Sequence, residues 1–418
     1  GDDMTAGQHP IARHEVEDLR DIVELNPLFA RPGEATELAR LRITEGSSAP
    51  ETAYQIVHDE AMLDGNARLN LATFVSTWMD EYAQKIYNEA ADKNMIDKDE
   101  YPATAAIETR CWTILADLWH APDATHTIGT STIGSSEACM LGGLALKRRW
   151  QHARKEAGKS TDRPNLVLSS AVQVCWEKFC NYFDVEARYV PISPEHKVLD
   201  GHDLDQYVDE NTIGVVAIMG VTYTGMYEPV KEISDALDRI QEASGFDVPI
   251  HVDGASGAMI APFLQPELEW DFRVPRVASI NTSGHKYGLT YPGLGWVVWR
   301  DLDALPEDLI FRVSYLGGDM PTLALNFSRP GSQVLLQYYL LLRLGREGYT
   351  RVQGASRDVA LYLSGEIAKM PQFDRPHGAA RGGAQRILPR SGRFFPDRSA
   401  RAGGLPRTAR VPDAAGGS

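Results

Sequence analysis

Only four cysteines occur among 418 residues, and none stands in a Cys-x-x-Cys pair. Cys111, Cys139, Cys175 and Cys180 therefore offer neither a disulfide framework nor zinc-knuckle spacing, so reduced thiols in a cytoplasmic protein without a metal are expected. Long apolar runs are missing too. None approaches the roughly 20 residues that a membrane span needs, and the polar, acidic start GDDMTAGQHP has no signal-peptide core. Positive charge is in deficit: 42 Lys and Arg stand against 57 Asp and Glu, a net −15. That balance argues against nucleic acid as a partner. It leaves the charge of a small substrate open, because a local site can oppose the global sign. No internal repeat is visible.

The remainder, 43% apolar and 24% charged, is ordinary globular composition, and the length suits two or three domains. Helical patterns are expected at 14–26 and 51–63. A helix face follows in Val75, Trp78, Met79, Tyr82 and Ile86, at i, i+3, i+4, i+7 and i+11. Thr73, at its start, reads equally well as an N-cap. Asn94 to Asp97 form a polar loop before a helix at 103–119. Beyond a polar linker at 151–163, strands and helices alternate: strands at 165–169, 187–192, 214–219, 249–252 and 277–280, helices at 174–182, 203–209 and 230–243. That order implies an α/β fold with a mostly parallel sheet. Residues 295–299 close the series as an antiparallel or edge strand, and helices follow at 333–345 and 349–369.

Three stretches carry chemistry. The strand IHV ends in Asp253, and the strand VASI leads to Ser283-Gly284-His285-Lys286. In open α/β sheets the carboxyl ends of strands face the ligand, so a carboxylate and an amine are expected on one sheet edge. Lysine is usually a solvated surface charge, but Lys286 follows an apolar strand, where a partly desolvated amine becomes nucleophilic. Asp253 would be a costly buried charge unless paired. Gly134-Ser135-Ser136-Glu137 opens an apolar helical run, which suits a phosphate at a helix N-terminus; a plain Ser-rich cap is the competing reading. Together the three fit pyridoxal 5'-phosphate, which takes a lysine as an imine and an aspartate against its ring nitrogen.

With these residues in place, the chain over about 15–370 resembles the pyridoxal-phosphate-dependent glutamate decarboxylases of bacterial and plant type, the group II decarboxylases. The resemblance rests on LATFVSTWM, IGSSEACMLGG, VQVCWEKF, GVTYTG, HVDGASG, SINTSGHKYGL and LNFSRPGSQV, in that order. It implies fold type I of the pyridoxal-phosphate enzymes (aspartate aminotransferase-like), with a mostly parallel seven-stranded sheet and flanking helices. It also implies conversion of L-glutamate to 4-aminobutyrate and CO₂, and a homodimer with its active site at the subunit interface.

Carried over residue by residue, Lys286 matches the imine-forming lysine and Asp253 the ring-nitrogen carboxylate. Ser135, Ser136, Ser283 and His285 match phosphate ligands, and Ser328 one that reaches the neighbouring subunit's phosphate. Gln173 matches a residue over the ring face and Thr222 one near the phenolic oxygen. Thr73, Phe74, Asn94 and Asp97 match positions around the distal carboxylate of glutamate. The expected division is an N-terminal segment 1–64, a cofactor-binding domain 65–330, the start of a small domain at 331–374, and a tail 375–418. That tail departs from the family: nine Arg, eight Gly and five Pro stand with two Asp and neither Lys nor Glu. It is expected to be a flexible tail or a frame-shifted replacement, and it matches no residue for the substrate's α-carboxylate. The alternatives are a decarboxylase for another amino acid, or a pyridoxal-phosphate-binding scaffold impaired by its altered end.

Overall fold

A computed structural model describes residue 43, residues 46–66, residue 69, and residues 78–313 and 320–370. The helix expected at 14–26, Thr73, Phe74 and the tail 375–418 lie outside the described residues. The chain divides into two units, 1–73 and 74–418. In the first lies α1 (Pro50–Ala61), opened by a proline at its first position, where the missing N–H is harmless.

The second unit begins with α2 (Glu81–Glu89), α3 (Pro102–Leu118), β1 (Ile128–Thr132), α4 (Ser135–Glu156), β2 (Asn165–Ser169), α5 (Val174–Tyr182), β3 (Glu186–Val190) and β4 (Thr212–Ile218). It continues with α6 (Val230–Ser244), β5 (Ile250–Asp253), α7 (Ala261–Leu264), β6 (Val277–Ser283), β7 (Gly295–Trp299), the short pair β8 (Phe311–Val313) and β9 (Met320–Thr322), and α8 (Ser332–Ile367). Seven strands form one sheet in the order β1-β7-β6-β5-β4-β2-β3. β3, β2, β4, β5 and β6 run parallel, and β7 is antiparallel to both its neighbours. The α/β architecture and the seven-stranded, mostly parallel sheet agree with the sequence reading.

Period two sorts the core. In β4, Val215 and Ala217 join the layer holding Trp119, Trp270, Trp296 and Tyr349, while Val216 and Ile218 join the layer holding Leu146, Trp176 and Phe179. Both faces of the sheet are covered, which is why the parallel strands read as unbroken apolar runs. α4 packs across β5, β6 and β7 and sets its N-terminus beside the strand ends.

Several elements differ from expectation. β7 is antiparallel but interior, because β1, a strand that the sequence reading does not include, pairs with its outer side. α4 runs to Glu156, so half of the expected linker is helix. The helix expected at 203–209 is a single 3-10 turn, Leu204–Gln206, because Gly201 and Asp203 adopt left-handed backbone at φ 88 and 51. α2 starts at Glu81, since Asp80 Oδ1 accepts from Ala83 N at 2.9 Å and caps it there; Trp78 and Met79 precede the helix. In α8, Gly345 (φ 54, ψ −168) breaks the helix where two helices were expected to meet.

Candidate active site

Alternation on two neighbouring strands builds the centre of the site. On β5, His251 and Asp253 share a face. In the β5–β6 register they lie beside Ser279 and Asn281, and Ser283 continues that face two residues on. Apolar residues, Val252 and Ile280, occupy the opposite face. A polar stripe thus runs through the covered sheet towards its carboxyl edge.

Asp253 ends the stripe, only 5% exposed. Its Oδ2 accepts from Trp176 Nε1 at 2.9 Å, and its Oδ1 from Ala255 N at 3.1 Å and Asn281 Nδ2 at 3.2 Å. All three donors are neutral, and among the described residues no cation forms an ion pair with it. A carboxylate buried in this way is costly unless a positive partner arrives. The Cys139 thiol lies against it: Cys139 Sγ, Cys175 Sγ and a carboxylate oxygen of Asp253 fall within 4.8 Å of one another. Burial pushes the Cys139 thiol well up, helped by its contact with Cys175 and by the Asp253 charge, while the charge of Lys286 acts the other way. Amine and carboxylate therefore act on the same buried sulfur.

At the head of α4, Ser135 Oγ stands 2.7 Å from Ser283 Oγ and accepts from Asn281 Nδ2 at 3.3 Å. Gly134 gives the first turn no side-chain cap, so the helix N-terminus keeps its attraction for an anion. Ser136 is exposed next to it. His285 is half-buried near Gly134, where a Cβ would come within 3.4 Å of its Cε1. Its Nδ1 accepts from Leu294 N at 3.3 Å, and burial, then the Lys286 charge, hold its pKa below the ordinary histidine value. Lys286 itself is half-buried.

The other expected residues are placed variously. Gln173 caps α5, its Oε1 accepting from Cys175 N at 2.6 Å, and Thr222 sits half-buried in the turn after β4. Asn94 and Ser328 meet each other: Asn94 Nδ2 donates to Ser328 Oγ at 3.2 Å, and Asn94 Oδ1 accepts from Arg329 N at 3.2 Å. Asp97 lies half-buried in the same loop. No direct hydrogen bond joins this latch to Asp253 among the described residues. Two buried carboxylates that the sequence reading gave no role in the site fix the latch instead. Glu137 Oε1 accepts from Leu325 N at 2.9 Å and its Oε2 from Ile133 N at 2.8 Å; Glu108 Oε1 accepts from Arg329 Nη2 at 2.8 Å and Ser131 Oγ at 2.5 Å. Asn281, His251 and Trp176 were also missed. The only signal for Asn281 and His251 was H-V-D beside S-I-N-T-S, polar residues at alternate positions of otherwise apolar strands; Trp176, on α5, had none.

Among the described residues Asp253 is in no ion pair, and a protonated pyridine nitrogen would supply a cation without a side chain. A parallel sheet with that carboxylate after β5, a lysine after β6 and hydroxyls at the head of α4 defines a pyridoxal-phosphate enzyme of fold type I. The chain matches the pyridoxal-dependent decarboxylase conserved domain over residues 45–379 and belongs to that family. It is 52% identical over 361 residues to a glutamate decarboxylase of Aliivibrio fischeri, covering 86% of this chain and 77% of the relative. A solved glutamate decarboxylase of Lactobacillus brevis superposes with a TM-score of 0.80 at 48% identity, over 84% of this chain and 80% of that one. A sphingosine-1-phosphate lyase structure from Burkholderia pseudomallei shares the fold, with a TM-score of 0.69 at 23% identity and coverage of 82% and 79%.

Proposed function

We propose that this protein is a glutamate decarboxylase, which converts L-glutamate to 4-aminobutyrate and CO₂ with pyridoxal 5'-phosphate as its cofactor. The observation that carries the reading is the buried Asp253, which accepts from three neutral donors and, among the described residues, is in no ion pair; the half-identical glutamate decarboxylases support the substrate.

In this reading Lys286 Nζ anchors the cofactor's aldehyde carbon and Asp253 holds a proton on its ring nitrogen. Ser135, Ser136, Ser283 and His285 would bind its phosphate, and Gln173 and Thr222 would hold its ring. When bound, the cofactor supplies an electron sink for the pair left on Cα as the carboxylate departs. The chain's own work would be orientation: the groups gripping the substrate's carboxylates would choose which Cα bond is presented to that electron sink, and so the reaction. Asn94 and Asp97, with Thr73 and Phe74, belong to that grip at the distal carboxylate. Ser328 serves the phosphate of the neighbouring subunit in a homodimer. Among the described residues no helix is long and apolar enough to cross a membrane, and the protein acts in the cytoplasm.

Purified protein loaded with pyridoxal phosphate is expected to release CO₂ from L-glutamate at least tenfold faster than from aspartate or aromatic amino acids. K286A should abolish both this activity and the visible cofactor band. Equal rates on aspartate or an aromatic amino acid would refute the substrate assignment. Because each turnover places a proton on Cα, activity consumes acid, and deletion of the gene should lower cell survival in acid. Unchanged survival would remove that role.

A further inference from the structure

Two residues behind Asp253 are wired in one direction only. His251 is fully buried between two polar partners, Ser279 Oγ and Asn281 Oδ1, each 2.7 Å from a ring nitrogen. Asn281 meets a carboxylate on its other side: its amide nitrogen lies 3.2 Å from Asp253 Oδ1 and 3.3 Å from Ser135 Oγ. A flipped amide would set oxygen against the carboxylate, so the NH₂ group must face Asp253. Its oxygen then faces His251 Nε2 and can only accept. The imidazole therefore carries its hydrogen on Nε2, and Nδ1 accepts a hydrogen bond from the Ser279 hydroxyl. Burial holds the His251 pKa below the ordinary histidine value, which keeps the ring neutral with a single N–H. Packing fixes the ring as well, for a Cβ on Gly142 of α4 would lie 2.5 Å from His251 Cε1.

The donors thus run Ser279 to His251 to Asn281, and the two amide hydrogens of Asn281 then divide, one to the ring-nitrogen carboxylate and one to a phosphate-cradle hydroxyl. We infer that His251 and Asn281 are positioning residues, an amide brace and its orienting imidazole, which lock Asp253 and Ser135 into one rigid unit so that ring nitrogen and phosphate are gripped at a fixed spacing. This rests on the cofactor reading above. It extends that reading inward, to residues that touch neither cofactor nor substrate.

Loss of the brace leaves Asp253 Oδ1 with Ala255 N alone. The carboxylate then rotates more freely and holds the ring proton less firmly. The test uses the full chain, stripped of cofactor and titrated with pyridoxal phosphate labelled with ¹⁵N in the ring, for the parent, N281A, H251F and H251Q. The dissociation constant and the ring ¹⁵N resonance are read alongside thermal midpoints. In N281A and H251F the dissociation constant should rise about tenfold, equivalent to ~1.4 kcal/mol, and the resonance should move towards that of unprotonated pyridine. H251Q can still donate to Asn281 Oδ1 and should stay within threefold of the parent, with its resonance unmoved. A merely structural role would lower midpoints without moving the resonance of the folded protein. Unchanged affinity and resonance in N281A overturn the brace, as does an H251Q indistinguishable from H251F. If N281A does not fold, N281S is read by the same two criteria. A parent that binds no pyridoxal phosphate sinks the cofactor reading itself, a separate and recognisable failure.

Discussion

Burial pushes the Glu228 carboxyl up to about 8, although Ile218 N and Leu199 N donate to it at 2.7 and 3.3 Å. In the unfolded chain it ionises near its ordinary 4.5. Between those values the folded protein holds a proton that the unfolded chain has lost. The stability tied to this group is therefore complete below about pH 4.5, declines as pH rises, and levels off above about 8. E228Q, neutral throughout, should flatten that decline in urea midpoints taken across this window; an undiminished slope would assign it to another group. The thiols give a second test. Cys111, Cys139, Cys175 and Cys180 are all buried, and burial raises Cys180 to about 12. Iodoacetamide at about pH 8 should label the native protein far more slowly than the denatured one, as followed by mass. Comparable rates would contradict the packing around these sulfurs. At this scale Asp253 and Lys286 were legible because each follows an apolar strand, where a charge needs a reason. Asn281 and His251 were not, because a polar residue inside a strand reads only as a weaker strand until its neighbour is known.

Helix α4 approaches the sheet and helix α5 closely because a glycine faces each of them. A Cβ on Gly142 would stand 2.5 Å from the His251 ring and one on Gly143 2.6 Å from the Phe179 ring. Alanine normally favours a helix interior over glycine by about 1 kcal/mol, but overpacking costs about 1–3 kcal/mol. His251 cannot yield, being hydrogen-bonded at both nitrogens, so overpacking wins. G142A should destabilise by about 1–3 kcal/mol, whereas G354A in α8, whose Cβ would meet only Leu264 at 3.9 Å, should stabilise by up to about 1 kcal/mol. Denaturant titrations showing the same sign for both would refute this. In the latch, E108A strands Arg329, and breaking a buried pair costs about 3–5 kcal/mol; a loss under about 1 kcal/mol would mean that solvent reaches the guanidinium. Elements whose ends carry their own signals were readable: α5 matches its expected bounds, and α6 differs by one residue. β1 was invisible, since its small polar sequence IGTST becomes a strand only by pairing with β7, a partner that local periodicity cannot point to.

For the whole molecule, the cofactor is a stabiliser by mass action. At pyridoxal phosphate a hundredfold above its dissociation constant, binding adds ~2.7 kcal/mol to the folded state. Thermal scans should show the loaded protein melting several degrees above the stripped one, and K286A should lose much of that gap. Equal midpoints for loaded and stripped parent would mean that the cofactor does not select the folded state. The architecture was legible as a whole because β2, β4 and β5 are each followed by a helix before the next parallel strand. The order of strands was not, because the antiparallel β7 joins residues distant in sequence.

That strand order also sets a timetable for synthesis. β1 ends at Thr132, yet its sole neighbour in the sheet among the described residues, β7, begins at Gly295, and a Cβ there would lie 2.5 Å from the backbone of Gly134. A nascent chain leaving the ribosome thus carries an unmatched edge, and the turn that leads into α4 has nothing behind it. Both are completed together, when β7 slides between β1 and β6. Competence to take up the vitamin-derived group should arrive in one step late in translation.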